Sequence, residues 1–337
     1  MEKIRVGKTN LVVNKNGFGA LPIQRISERE AVALLHKAFD NGIDFYDTAR
    51  FYTDSENKIG AAFSDRRTRL YIASKTAATT PEDFWKDLHT TLKNLKTDYL
   101  DLYQFHNPDY CPMPGDKYGL YDAMLVAQRQ GKIRHIGISN HRIAVAKEAI
   151  ASGCYETLQY PFSYLASDVD MEIVQSCARK DMGFICMKGL AGGLITDSAL
   201  AYAFLKQFDH VLPIWGIQRE SELDEFLSYQ VEAPEFTAAM KNKIIEDKAM
   251  LSGDFCRGCG YCMPCPVGIE ISDCARMSLF LRRAPLSVYL TQEWAEKMKK
   301  IENCLHCNAC REKCPYGLNT PVLLQKNYAD FKTFWKE

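Results

Sequence analysis

The chain is 337 residues long, enough for more than one domain and for a sizeable core. Its 42 Lys plus Arg balance its 42 Asp plus Glu, which leaves no basic field for nucleic acid and no polybasic patch for a membrane surface. It has no apolar run long enough for a transmembrane helix, and MEKIRVGKTNLVVNK lacks the apolar stretch of a signal peptide. With thirteen cysteines and no such signal, a reducing cytoplasm is the expected compartment.

Residues 1–230 alternate short apolar runs with longer amphipathic ones. Residues 4–13 read as a small hairpin turning at GKTN, placed to close a barrel floor. Strands are predicted at 16–20, 45–47, 70–74, 100–106, 135–139, 157–160, 184–187 and 211–214. Between them, a helix over 27–41 opens on Ser27 with Glu30 three residues on, a capping box, and stops at Gly42. A helix over 81–95 follows Thr80 with Pro81 in its first turn. Further helices are predicted over 118–130, ending at Gly131, over 142–151, ending at Gly153, and over 170–180. Strands alternating with helices predict parallel pairing through right-handed crossovers. Eight such units predict an α/β fold, a (β/α)8 TIM barrel over residues 1–230. A doubly wound sheet fits less well, because GFGALP after the first strand is not GxGxxG.

In such barrels chemistry sits at the C-terminal strand ends. Those ends carry Asp47, Lys75 and His106, with Tyr52 in the loop after Asp47. Each alone has a plain structural use: an Asp before Thr-Ala caps a helix, a Lys after a strand is solvated, a loop Tyr packs, a strand-end His hydrogen-bonds. Together, in order on successive strand ends, they make a set. The segments DTARFYTDSENKIG, ASK and LDLYQFHNPD resemble the aldo-keto reductase motifs, and the resemblance spans most of residues 1–230. It implies an oxidoreductase that interconverts an aldehyde or ketone and its alcohol with NADP(H) or NAD(H). Tyr52 would be the proton donor, Lys75 the ammonium that lowers its pKa, Asp47 the partner that holds Lys75, and His106 the group that orients the carbonyl oxygen. The chemistry is sound, since a tyrosine ordinarily titrates near 10 and an adjacent cation favours its phenolate.

The same resemblance implies that Ser139 and Asn140 in GISN, with Gln159 in LQYPF, hold the nicotinamide carboxamide. In CMKGLAGG, Met187 or Lys188 stands where many members stack an aromatic ring on the nicotinamide. Gly189, Gly192 and Gly193 suit either a close backbone approach to a pyrophosphate or a plain turn. In WGIQRESELDEFL, Gly216, Glu222 and the pair Glu225–Phe226 fall where many members carry Lys, Arg and Glu-Asn around the 2′-phosphate and adenine. A carboxylate there repels a 2′-phosphate unless a cation such as Arg219 offsets it, so NADPH is the family default and NADH stays open. The loop NPDYCPMPGDKYG borders the expected carbonyl pocket, with Tyr110 and Tyr118 as its walls.

Residues 231–250 read as a linker with a helix, and 251–337 as a second, mostly helical domain with a C-terminal tail. Eight of the thirteen cysteines lie there in two runs, Cys256, Cys259, Cys262 and Cys265 before Pro266, and Cys304, Cys307, Cys310 and Cys314 before Pro315. The second run has the bacterial ferredoxin spacing C-x2-C-x2-C-x3-C-P, whereas the first has two residues, not three, before its last cysteine. The resemblance to two-cluster ferredoxins implies two [4Fe–4S] clusters with crossed ligation. Cys256, Cys259, Cys262 and Cys314 would hold one, and Cys304, Cys307, Cys310 and Cys265 the other. Zinc takes four thiolates as CxxC pairs and fits these triplets poorly. Disulfides belong to oxidising compartments. Cys111, Cys154, Cys177, Cys186 and Cys274 are scattered and read mostly as small buried apolar residues. The tail aromatics Phe331, Phe334 and Trp335 are expected to dock onto the barrel.

Within the aldo-keto reductase family, the chain looks most like the branch with a C-terminal iron–sulfur module. Nicotinamides move two electrons as hydride, while a cube moves one at a time. Three readings follow: a carbonyl reductase braced by its clusters, an electron-transfer protein relaying between a redox partner and the barrel, and a redox sensor with a non-catalytic barrel. The complete set Tyr52, Lys75, Asp47 and His106 favours the first.

Overall fold

A computed structural model describes residues 2–250, 255–283 and 286–335. The chain forms two compact units, Met1–Gly189 with Ala199–Phe236, and Leu190–Ser198 with Thr237–Glu337.

The first unit opens with the antiparallel pair β1 (Lys3–Arg5) and β2 (Val12–Asn14), which turns through a short 3-10 segment at Gly7–Thr9. Eight parallel strands follow: β3 (Gly17–Gly19), β4 (Phe45–Asp47), β5 (Tyr71–Thr76), β6 (Leu100–His106), β7 (Ile133–Ser139), β8 (Thr157–Pro161), β9 (Gly183–Met187) and β10 (Val211–Gly216). They pair in chain order, and β10 returns to β3 to close the barrel. All eight predicted strands are present, with ends moved by a residue or two. The hairpin's Ile4, Val6, Leu11 and Val13 pack into one apolar cluster with Phe45, Ala73, Leu102, Ile185, Leu212 and Ile214. Each Val, Leu, Ile or Phe side chain so removed from water contributes roughly 1.5–3 kcal/mol. That cluster plugs the floor and leaves the opposite, C-terminal strand ends for polar groups.

The barrel helices are α1 (Glu28–Asp40), α2 (Ser55–Phe63), α3 (Pro81–Leu95), α4 (Leu120–Arg129), α5 (Ile143–Ser152), α6 (Asp168–Arg179), α7 (Ser198–Lys206) and α8 (Glu220–Val231). The Ser27–Glu30 box caps α1 as read from sequence, and Thr80 caps α3 through Asp83 N. Ser167 and Asp170 form a second box that starts α6 two residues before its predicted beginning. Helices α2, α7 and α8 have no sharp amphipathic stripe, since SENKIGAAF is mostly small or polar and SALAYAFLK mostly apolar. Tertiary packing forms them.

The second unit contains α9 (Ala238–Met250), α10 (Ile271–Cys274), α11 (Met277–Arg283), α12 (Leu286–Tyr289), α13 (Gln292–Lys299), α14 (Ala309–Glu312) and α15 (Thr320–Phe334). Its core gathers Ile269, Ile271, Cys274, Met277, Leu281, Met298, Ile301, Leu318, Leu324, Tyr328 and Phe331. The tail aromatics correct the expectation of docking on the barrel. Phe331 lies inside this core, Phe334 and Trp335 pack against it, and the Trp335 ring stacks on Phe331 with centroids 6.2 Å apart. Helical spacing explains this: Leu324, Tyr328 and Phe331 share one face of α15, and Asp330 is tied to Arg282 of α11. No helix among the described residues is long and apolar enough to cross a membrane.

Helix α2 lies so close to the end of α3 that a Cβ on Gly60 would stand 2.1 Å from Asn94 O. Gly60→Ala should therefore destabilise the chain by about 1–3 kcal/mol, read from the urea midpoint. An unchanged midpoint would contradict this packing.

Candidate active site and thiol centre

Adjacent strands β4 and β5 bring Asp47 and Lys75 together inside the barrel. Lys75 Nζ donates to Asp47 Oδ1 at 2.8 Å, to Oδ2 at 2.7 Å and to Thr48 O at 2.7 Å. Lys75 is fully buried and Asp47 nearly so. Burial pushes the carboxyl up and the ammonium down, and each partner opposes the other's shift. Gln159 Nε2 donates to Asp47 Oδ2 at 3.3 Å, and Gln104 Nε2 donates to Gln159 Oε1 at 2.8 Å.

The Tyr52 loop sits over this pair. Lys75 Nζ stands 5.3 Å from the Tyr52 ring centroid. The His106 ring meets the Tyr52 ring edge-on at 5.7 Å and Phe51 at 6.3 Å. His106 is pushed down to about 3, first by removal from water and then by the Lys75 charge, though part of the residue stays accessible. Its imidazole is neutral across the ordinary pH range and offers a ring N–H rather than a charge. The loop is anchored from below. Arg50 N donates to Lys75 O, and the Arg50 guanidinium pairs with Glu56. Glu56 is fully buried and accepts further bonds from Ser74, Thr91 and Asn94. All four predicted tetrad residues thus meet at one place.

The remaining predicted contacts are more dispersed. Ser139 is buried and pairs in register with both His106 and Gln159. The Asn140 side chain already bonds Pro108 O and the Arg142 N–H. Lys188 takes left-handed backbone, and Gly192 and Gly193 form a left-handed turn. Gly216 is exposed at the end of β10. Arg219 is paired with Glu222 at 2.7 Å as the first turn of α8 forms, and Glu225 accepts from Tyr229 OH. Tyr110 and Tyr118, the predicted pocket walls, pack ring on ring at 4.5 Å. Gln104, Arg50 and Glu56 are not among the sequence candidates. Gln104 lies two residues before His106, so the strand's period of two marks it as inward-facing.

In the second unit, Cys262, Cys265, Cys304, Cys307 and Cys310 line one cavity, together with apolar residues that include Val267, Ile269 and Leu324. Cys256 has Cys259 and Cys314 as electrostatic neighbours, and Cys262 has Cys256, Cys259 and Cys310. No disulfide joins the described cysteines. Burial pushes Cys262 up to about 12 and raises Cys256 and Cys310. Such thiols give up their protons when a metal takes their place. Among the described residues, no three His, Cys, Asp or Glu side chains converge as one metal ion requires. The Cys262, Cys265, Cys304, Cys307 and Cys310 thiols around one cavity with apolar walls fit an iron–sulfur cluster.

Removing the Lys75 charge by Lys75→Met leaves Asp47 buried without its counter-charge and should cost about 3–5 kcal/mol in urea unfolding. Adding Asp47→Asn should recover part of that loss. Equal stability of the single and double variants would show that the pair is not coupled. Because folded His106 stays neutral down to about 3 while an unfolded histidine protonates near 6.5, the unfolded state binds more protons between those values. Stability should fall as pH drops through that window, and His106→Gln should lose less of it than the parent. Parallel losses would contradict the buried neutral imidazole.

The aldo/keto reductase family matches residues 15–211, and a 4Fe-4S dicluster domain matches residues 255–319. An uncharacterized oxidoreductase of Bacillus subtilis, YrpG, is 30% identical over 230 residues, covering 59% of this chain and 70% of that protein. The aldo-keto reductase YhdN of the same organism is 27% identical over 58% of this chain and 64% of its own length. Among solved structures, a Bacillus halodurans aldo-keto reductase in holo form has a TM-score of 0.64 at 22% identity, covering 73% of this chain and 96% of that one. A Klebsiella pneumoniae aldo-keto reductase in complex with NADPH has a TM-score of 0.63 at 19% identity, covering 73% and 94%. The chain is an oxidoreductase of the aldo/keto reductase family, with a 4Fe-4S dicluster domain following its barrel.

Proposed function

We propose that the barrel reduces an aldehyde or ketone to its alcohol with NAD(P)H, and runs the reverse reaction with the oxidised nucleotide. The observation that carries this reading is the placement of Lys75 between the Asp47 carboxylate and the Tyr52 ring, with His106 against that ring. When bound, the nucleotide would supply the hydride that the carbonyl carbon takes up. Tyr52 gives its phenolic proton to the carbonyl oxygen as the C=O π bond breaks, and the phenolate left behind faces the Lys75 ammonium. That charge favours the phenolate and makes Tyr52 a better acid. Asp47 keeps Lys75 charged in a dry interior, and neutral His106 donates a hydrogen bond that orients the oxygen. The exposed Phe51 and the Tyr110–Tyr118 pair would bound a small-molecule carbonyl substrate.

Ser139, Asn140 and Gln159 are assigned to the nicotinamide carboxamide, and Lys188, Gly216, Arg219 and Glu225 to the remainder of the nucleotide. NADPH is the first choice, supported by the NADPH-bound Klebsiella relative. The Arg219–Glu222 pair spends the nearest cation locally and favours NADH as the alternative.

We assign Cys256, Cys259, Cys262 and Cys314 to one [4Fe–4S] cluster and Cys304, Cys307, Cys310 and Cys265 to a second. Cys314 beside Cys256, and Cys265 in one cavity with Cys304, Cys307 and Cys310, support this crossing, although Cys262 lines that cavity too. When bound, such clusters brace a small domain and carry single electrons. Exposed Cys307 beside exposed Leu305 favours a second reading, in which the module exchanges electrons with a redox partner protein.

Tyr52→Phe should lower carbonyl reduction by about 10²–10⁴-fold and leave the visible iron–sulfur absorbance unchanged. Activity equal to the parent's would refute the assignment of the acid. Anaerobically reconstituted protein should carry about eight iron atoms per chain. Cys314→Ala and Cys265→Ala should each lower that content by impairing a different cluster. About four iron atoms in the parent would refute the second cube.

A further inference from the structure

Gln104 is a fully buried amide in a barrel interior whose floor is apolar. Its register partners are Lys75 on one side and Gly137 on the other. Gly137 makes the room it occupies, since a Cβ there would stand 3.0 Å from Gln104 Cγ and 2.3 Å from Thr157 Oγ1. Gln104 donates toward Asp47 as well as to Gln159, and the bonds through Gln159 run in one direction. Gln104 Nε2 donates to Gln159 Oε1, Gln159 Nε2 donates to Asp47 Oδ2, and Asp47 accepts Lys75 through both oxygens.

This arrangement has a cost in stability. Gln104 Oε1 has no hydrogen-bond partner among the described residues. A buried acceptor left without a partner destabilises a fold, and an apolar side chain would not carry that penalty. Leu102, two residues earlier on the same face of β6, is such a side chain. A polar group retained against folding stability, one bond away from assigned site residues, points to use in the reaction rather than in the fold.

The use follows from the chemistry of an amide. A glutamine side chain can turn over, exchanging donor for acceptor at each end. Toward a carboxylate, only the N–H₂ end of Gln159 is favourable. Toward Gln104, only its oxygen can accept the Gln104 N–H. The two neighbours therefore fix a single orientation from opposite ends.

We propose that Gln104 is a positioning residue for the nicotinamide. By holding Gln159 Oε1, it keeps one Gln159 N–H on Asp47 and leaves the second N–H and the other oxygen lone pair for the carboxamide. The proposal rests on the reading of Gln159 as a nicotinamide ligand, and it ties nucleotide binding to the tetrad through one shared carboxylate.

The test uses full-length, anaerobically reconstituted protein, with NADPH and NADH as probes. Nucleotide affinity is read by fluorescence titration and stability by thermal unfolding. Q104L removes the unpartnered acceptor but also a donor toward Asp47, so the melting temperature should change little while nucleotide binding weakens about tenfold. Q104E supplies a carboxyl that donates to Gln159 only when protonated. Its affinity should fall as pH rises from about 6 to about 9, more steeply than the parent's, because burial raises a carboxyl pKa into that range. Unchanged affinity in Q104L would overturn the proposal whatever the melting temperature. If Q104L is destabilised as well as weak, a Q104E profile that parallels the parent's would overturn it. Failure of the unaltered protein to bind either nucleotide would instead overturn the proposed hydride chemistry together with this inference.

Discussion

An ammonium and a carboxylate buried in the interior of a barrel are tolerable only as a pair, and the Lys75–Asp47 contact organises the rest of the site. Taking either charge out of water alone is strongly unfavourable, and their mutual attraction offsets this only with close geometry and further hydrogen bonds. The barrel provides both. Neighbouring strands deliver the two residues, Thr48 O takes a third ammonium N–H, and Gln159 donates to the carboxylate. The same strand segment holds the Tyr52 loop through Arg50 N on Lys75 O, while buried Glu56 collects Arg50, Ser74, Thr91 and Asn94. One polar network therefore sets the charge beside Tyr52 and the backbone that carries it.

The second unit solves a different problem. Its core is small and built from short helices, with six of the eight thiols of the two cysteine runs packed in or against it. A bound inorganic centre would stabilise this unit, because its ligands are gathered only in the folded state. Burial raises the thiol pKa values, so protons compete with the metal for these sulfurs and loading should strengthen as pH rises. Helix α15 closes the unit by filling the core with Leu324, Tyr328 and Phe331.

Much of this is legible in the sequence, for identifiable reasons. The strands are short apolar runs bounded by capped helices, so Asp47, Lys75 and His106 fall on strand ends without any knowledge of three-dimensional contacts. The cysteine runs are legible because ligand spacing is a local property. What is not legible depends on partners far apart in the chain. Glu56 reads as a polar residue at the start of a helix until β5 and α3 bring Ser74, Thr91 and Asn94 to it. Gln104 reads as one polar residue in LDLYQFH until Gln159 arrives from β8. The tail aromatics read as a patch that docks onto the barrel, and only their spacing on α15 shows that they belong to the module's own core.

The account's central claim is that hydride chemistry occurs in the barrel and that the cubes stand outside that path. Anaerobic titration of the reconstituted protein with NADPH and then NADH, with the visible iron–sulfur absorbance followed throughout, tests this most directly. The account predicts that nucleotide binds while the cluster absorbance stays unbleached in the absence of any mediator. Bleaching by nucleotide alone would contradict it and would make electron transfer, rather than carbonyl reduction, the primary work of the chain.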